Sequence, residues 1–439
     1  MHEIGTLRAT GGSPTPGALL PPPAHFMLDF ADLPYRFIPP KPNALVIALA
    51  KLVNRGIALP GRNHRLTGID LHGSEAFAAA KRTPGARFLL LPNHSSHSDP
   101  QVMTEVCRRL GVTPAFMAAY DVFARGKIRS WVMQRCGAFS VDREGSDRKS
   151  MRCATEILTA GRHSLVLFPE GNVYLCNDRV TPFAEGAAYI ALRAQKALDQ
   201  AAPVYAIPVS LKFTFVEDVR EPVRSALHDL AGLFGTQLDR ESPVTAEITR
   251  ISTSALARFL KHRGYHPPGD DLDTDQQIRH SAEQIIESLE SKMELPVPTS
   301  ANLMTRVRRI RAAVHAVRTD PKREIDHRAA SHWADEAMLA LRILGYHGGY
   351  TASNPTLDRV AETVVRLRED VTSRLVPPDG KRRCLIQIGA PIDLRTRLDA
   401  FRADARGAIA ELTELCEAEV QAGIDAINSS NQEPGSEPF

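Results

Sequence analysis

Between residues 66 and 216 two patterns of apolar residues take turns along the chain. Short runs, apolar throughout or at alternate positions, read as strands: "IDLHG", "RFLLLPN", "PAFMAA", "AFSVD", "SLVLFPE" and "VYAIPVSLKF". Longer stretches with apolar residues at helical spacing lie between them: "DPQVMTEVCRRLG", "RGKIRSWVMQRCG", "SDRKSMRCATEILTAG" and "GAAYIALRAQKAL". Such alternation predicts an α/β fold, a mixed sheet flanked by helices. The boundaries carry their own signals. Asp99-Pro100 reads as an N-cap with Pro at the first helical position, and Gly111 as a stop. Ser146 and Gly161 bracket a second helix in the same way.

After Phe215 the strand pattern disappears. Residues 217–376 are helical in spacing and rich in Arg, Ala, Leu and Glu, and then "CLIQIGAPIDL" reads as one late strand, followed by a helix over 396–426. A strand alone behind so much helix needs a sheet to join, and the first sheet is the nearest one. The expected division is a poorly ordered segment at 1–33, an α/β domain at 34–216, a large helical insertion at 217–380, a return of the chain at 381–426 and a flexible tail at 427–439.

Composition narrows the function classes. The chain has 54 basic and 51 acidic residues for a net charge of +3, which argues against a dedicated nucleic-acid binder. Its six cysteines are scattered with no C-x-x-C pair, so neither a zinc site nor a disulfide framework follows. The first residues lack the basic and apolar regions of a secretory signal, and the longest apolar stretch, "ALVIALAKLV", is too short to cross a bilayer. The expectation is a soluble or peripheral protein.

The densest polar chemistry is "NHSSHSDP" at 93–100, directly after an apolar strand. Histidine suits proton transfer near neutral pH, and a carboxylate on its second nitrogen fixes the tautomer. On one helix His94 and Asp99 would point about 140° apart, so they meet only if His94 precedes the helix and folds back over its first turn. The end of a strand beside a helix start is also where α/β sheets place ligands. Alternatives stay open: Asp99 as a plain N-cap, a metal held by His94, His97 and Asp99, or a nucleophile among Ser95, Ser96 and Ser98 without a G-x-S-x-G elbow.

Three further blocks follow in order: "GAFSVDR" with Arg143, "LFPEG" with Glu170 and Gly171, and "YAIPVSL" with Pro208. Together with "NHSSHSD" they resemble the glycerolipid acyltransferase family across about residues 35–216, and "IQIGAPI" resembles that family's closing strand. The resemblance implies transfer of a fatty acyl group from acyl-CoA or acyl-ACP to a hydroxyl of a glycerolipid-type acceptor such as lysophosphatidate. His94 would be the general base and Asp99 its orienting partner. Asn93, Ser96, Arg143, Glu170, Gly171 and Arg179 would surround the substrates, and Phe139, Phe168 and Pro208 would line the acyl chain or pack the core. No metal or cofactor beyond the acyl thioester is implied.

The sequence departs from the family where Asn172-Val173 replaces Thr-Arg after "FPEG" and where Glu185 replaces a basic residue. Fewer cations weaken the case for a phosphorylated acceptor. They leave a non-phosphorylated acceptor, or a lipid-binding or membrane-tethering protein on the same scaffold, as alternatives, with a metal-dependent hydrolase behind both. Membrane contact is expected on the cytoplasmic face. Residues 42–59 read as an interfacial or core helix, and 301–318, with five arginines beside an apolar stripe, as a basic amphipathic or bundle helix.

Overall fold

The runs "RFLLLP", "SLV" and "VYAIPVSLKF" form strands that are buried on both faces, which is why they read as continuous rather than alternating. The structure is a computed structural model that describes residues 35–439 apart from 144, 146, 240, 270, 298–300 and 320–326. The expectations for residues 1–33 and for Ser146 lie outside the described residues.

Helix α1 (Ala44–Val53), extended by a π-helical turn (Asn54–Ala58), leads into β1 (Leu66–His72) and α2 (Ser74–Lys81). Then come β2 (Arg87–Pro92), α3 (Asp99–Arg109), β3 (Pro114–Ala119), α4 (Tyr120–Ala124), α5 (Lys127–Arg135) and β4 (Phe139–Val141). Next are α6 (Arg148–Ala160), β5 (Ser164–Val166), α7 (Gly186–Leu198) and the long β6 (Val204–Phe215). The helical region holds α8 (Arg220–Phe234), α9 (Val244–His262), α10 (Thr274–Lys292), α11 (Leu303–Thr319), α12 (His327–Leu344), α13 (Tyr350–Ser353) and α14 (Leu357–Thr372). The chain closes with β7 (Arg382–Ile388), β8 (Ile392–Asp393), α15 (Leu398–Ala403) and α16 (Ala405–Ser430).

One eight-stranded sheet runs β1-β7-β6-β2-β5-β3-β4, with β8 also on β6. β7 pairs antiparallel with β6 and parallel with β1, and the remaining neighbours along the order are parallel. The late strand thus sits inside the sheet, between the first strand and the longest. Alternate residues of β2 divide the core. Leu89 and Leu91 face α6, α7 and α16, while Phe88 and Leu90 face α2 and α3. The helical region builds two clusters of its own, one around α8, α9 and α14 and one around α10, α11 and α12. The stripe of α11 lies in the second of these, with Val307, Ile310 and Val314 fully buried and Arg306 paired to Glu290 at 2.6 Å. α11 is therefore a bundle helix whose apolar stripe is covered.

β6 extends beyond the end of β2, because Pro92 is already opposite Val209. The backbone of the overhang would be left unpaired along that edge. Side chains complete it at alternate residues. Asn93 accepts from Leu211 N–H at 2.7 Å and donates to Leu211 C=O at 3.0 Å. Asn177 does the same for Phe213, at 3.0 and 2.6 Å, and Asp358 of α14 accepts from Phe215 N–H at 2.9 Å. The overhang thereby fixes two loops and one helix of the helical region to the sheet.

Candidate active site

Residues 93–98 turn between β2 and α3, and the turn does what a straight helix could not. His94 Nδ1 lies 2.7 Å from Asp99 Oδ2, which also accepts the Ser96 N–H at 2.9 Å. Asp99 opens α3, yet its carboxylate serves the turn and His94 rather than the helix end. It is fully buried, and burial pushes its pKa up against the pull of His94's hydrogen bond and charge. A carboxylate so placed gains most when its partner becomes imidazolium. His94 keeps 16% of its side chain exposed, so with Nδ1 committed to Asp99, Nε2 is the nitrogen left for a substrate. Its ring stacks on Phe168, with 4.2 Å between centroids.

Glu170 ties this turn to the loop after β5. One oxygen accepts the His94 N–H at 2.6 Å and the other the Thr181 N–H at 3.2 Å. Burial raises its pKa to about 7, opposed by those same N–H groups. Ser96 and Ser98 bond within the turn and to its neighbours. Ser96 Oγ accepts the Ser98 N–H at 3.2 Å, and Ser98 Oγ meets His64 Nδ1 at 2.9 Å and Arg382 Nη2 at 3.1 Å. His97 turns to α14, where its Nε2 lies 3.0 Å from Glu369. No group of three His, Cys, Asp or Glu among the described residues is placed to hold a metal ion.

Arg143, at the end of β4, reaches the same loop. It donates to Gly171 C=O at 3.2 Å and Asn172 Oδ1 at 2.6 Å, and pairs with Asp121 at 3.3 Å. Gly171 is exposed with φ +78°, a conformation that favours glycine. Arg179 is exposed near His347 of the helical region, whose pKa burial, and then the charge of Arg179, lowers to about 4. Of the three apolar candidates Phe168 is the one stacked on His94. Phe139 is fully buried in the core and Pro208 is enclosed within β6.

Several residues escape sequence reasoning because their partners are far along the chain. Asp121 holds Arg143, His315 of α11 pairs with Asp142 at 2.9 Å, and Glu369 holds His97. The loop from 174 to 183 is shaped from outside as well. Its N–H groups at Asn177, Asp178, Val180 and Phe183 go to Glu362, Tyr350, Gln421 and Glu417. Beneath it lies a buried cluster in which Asp178 binds Lys212 and Arg359, Asp358 faces Lys212 at 3.5 Å, and Tyr350 donates to Glu362. A polar residue amid apolar neighbours, as Lys212 is in "PVSLKFTF", was the only signal available.

Residues 68–212 match the family model described as Acyltransferase. No curated protein matches the chain.

Proposed function

We propose, from a chain whose residues 68–212 form a domain of the glycerolipid acyltransferase family, that the protein moves a fatty acyl group from an acyl-CoA or acyl-ACP thioester to a hydroxyl of a glycerolipid-type acceptor. The observation that carries the mechanism is the 2.7 Å contact of His94 with the fully buried Asp99 on a partly open imidazole. The acceptor hydroxyl gives its proton to Nε2 as its oxygen attacks the thioester carbonyl. The carbon–sulfur bond then breaks, and the thiolate leaves with the proton returned by the imidazolium. Asp99 balances that imidazolium and holds its tautomer, and general-base help of this kind contributes about 10²–10⁴-fold. The remainder of the rate comes from positioning and from stabilising the oxyanion.

One observation favours a second acceptor class. Arg143 is already engaged by Asp121, Asn172 and the Gly171 carbonyl, and Arg179 sits with His347, which supports an acceptor without a phosphate group. The test is transfer of radiolabelled acyl groups from both donors to lysophosphatidate, lysophosphatidylcholine, monoacylglycerol and a long-chain amine. Turnover with any acceptor supports acyl transfer, and preference for monoacylglycerol or the amine supports the second class. Tight lipid binding without turnover for every donor and acceptor supports a lipid-binding or tethering protein instead.

A further inference from the structure

Along β7 the side chains of Cys384, Ile386 and Ile388 turn into the core beside α2 and α3. Alternation puts residue 382 on that same face, where an apolar residue is expected. The chain has Arg382 there instead, while Arg383 on the opposite face meets Asp70 and Glu433 at 3.3 and 3.2 Å. A cation turned toward a core is costly unless it is paired or serves a site.

The contacts of Arg382 are neutral groups. Nη2 donates to the His64 carbonyl and to Ser98 Oγ, both at 3.1 Å, and Cζ lies 4.9 Å from the centre of the Phe213 ring. Nε is shut off from solvent and has no hydrogen-bond partner among the described residues. The guanidinium therefore holds Ser98, the residue just before Asp99. Ser98 Oγ also meets His64 Nδ1 at 2.9 Å. Burial, and then the charge of Arg382, lower the His64 pKa, so a neutral imidazole is there to accept the Ser98 hydroxyl proton.

The charge of Arg382 reaches further than its contacts. It acts on Asp99, Asp358 and Glu362, and on Cys384, whose thiol burial keeps protonated. Asp358 already faces Lys212, and Glu362 accepts from Tyr350 and from the Asn177 N–H. Asp99 is fully buried, and the other charges acting on it are those of His94 and His97. Both of those come and go with a proton. Burial lowers the Arg382 pKa only to about 10, so its charge stays at neutral pH. We propose that Arg382 is a positioning residue for the His94–Asp99 pair. Through Ser98 it fixes the turn into α3, and its charge keeps Asp99 in the ionised form that an imidazolium at His94 needs. The part in catalysis rests on His94 being the base of acyl transfer, whereas the coupling of charges can be read without turnover.

The experiment follows His94 by NMR in the full-length protein carrying carbon-13-labelled histidine, with His94→Gln assigning the signal. Arg382→Gln and Arg382→Met remove the charge, Arg382→Lys keeps it, and Ser98→Ala cuts the bridge while leaving the charge in place. Circular dichroism reports the fold. Glu170, on the His94 N–H, titrates near pH 7 and is common to every variant. A nearby cation disfavours each protonated form of the pair, so its loss should move the pair's titration to higher pH by about half a unit or more. Arg382→Lys and Ser98→Ala should titrate within about a quarter unit of wild type. The acidic limb of kcat/KM should move with the titration, a loss of about threefold in rate on that limb. An unmoved titration in a folded charge-free variant overturns the proposal. So does an equal shift in Arg382→Lys, or failure of both charge-free variants to fold, which would make Arg382 a structural joint. A shifted titration in a protein without turnover supports the coupling and sinks acyl transfer.

Discussion

At the residue scale, His94 and Asp99 are defined by a turn rather than by a helix. The sequence showed that the pair could meet only across a fold-back, and the Ser96 N–H on Asp99 is what holds that fold-back in place. Asp99→Asn should lower kcat by about 10²–10⁴-fold with little change in KM, because orientation and charge balance are lost in the transition state. Steady-state kinetics against either thioester donor would check this. Asn93, which looked like a substrate contact in sequence, is a two-bond splice onto β6. Asn93→Ala should destabilise the protein by about 1–3 kcal/mol in urea denaturation, since it leaves the Leu211 N–H and C=O unpaired in a buried place. An unchanged midpoint would show that the splice is dispensable.

At the element scale, strands and their flanking helices were legible because the central apolar runs are buried on both faces and the runs are bounded by turn signals. What was not legible is which distant helix closes which loop. The loop after Gly171 is shaped by Tyr350 and Glu362 of the helical region and by Gln421 and Glu417 of α16, contacts spanning about half the chain that leave no local pattern. Phe139 and Pro208 show the converse limit, for strand residues beside a site read alike whether they pack inward or line a pocket. The stripe of α11 was equally ambiguous, and its burial in the bundle settles which face is covered. Lys212 is the central joint between sheet and helical region. Lys212→Met should cost about 3–5 kcal/mol, as it leaves Asp178 and Asp358 buried with one cation fewer. If the urea midpoint stays within error of wild type, that joint is not needed.

At the scale of the whole molecule, two buried carboxyls link stability to pH. Burial raises Glu170 to about 7 and Glu362 to about 8 from an ordinary 4.5. Between 4.5 and these values the folded protein holds more protons than the unfolded chain, so stability from both groups is present below pH 4.5 and is lost as pH rises through 7 and 8. Glu362→Gln can still accept from Asn177 N–H while its amide donates to Tyr350, so it should flatten the upper part of that slope. Thermal unfolding from pH 5.5 to 8.5 measures it, and an unaltered slope in the variant would assign the titration elsewhere. The central claim, that His94 is the base of an acyl transfer, is tested most directly by single-turnover transfer from a radiolabelled acyl thioester. Wild type, His94→Ala and His97→Ala are compared with the best acceptor found. His94→Ala should lose activity by about 10²-fold or more while His97→Ala retains most of it. Equal rates for wild type and His94→Ala would contradict the account.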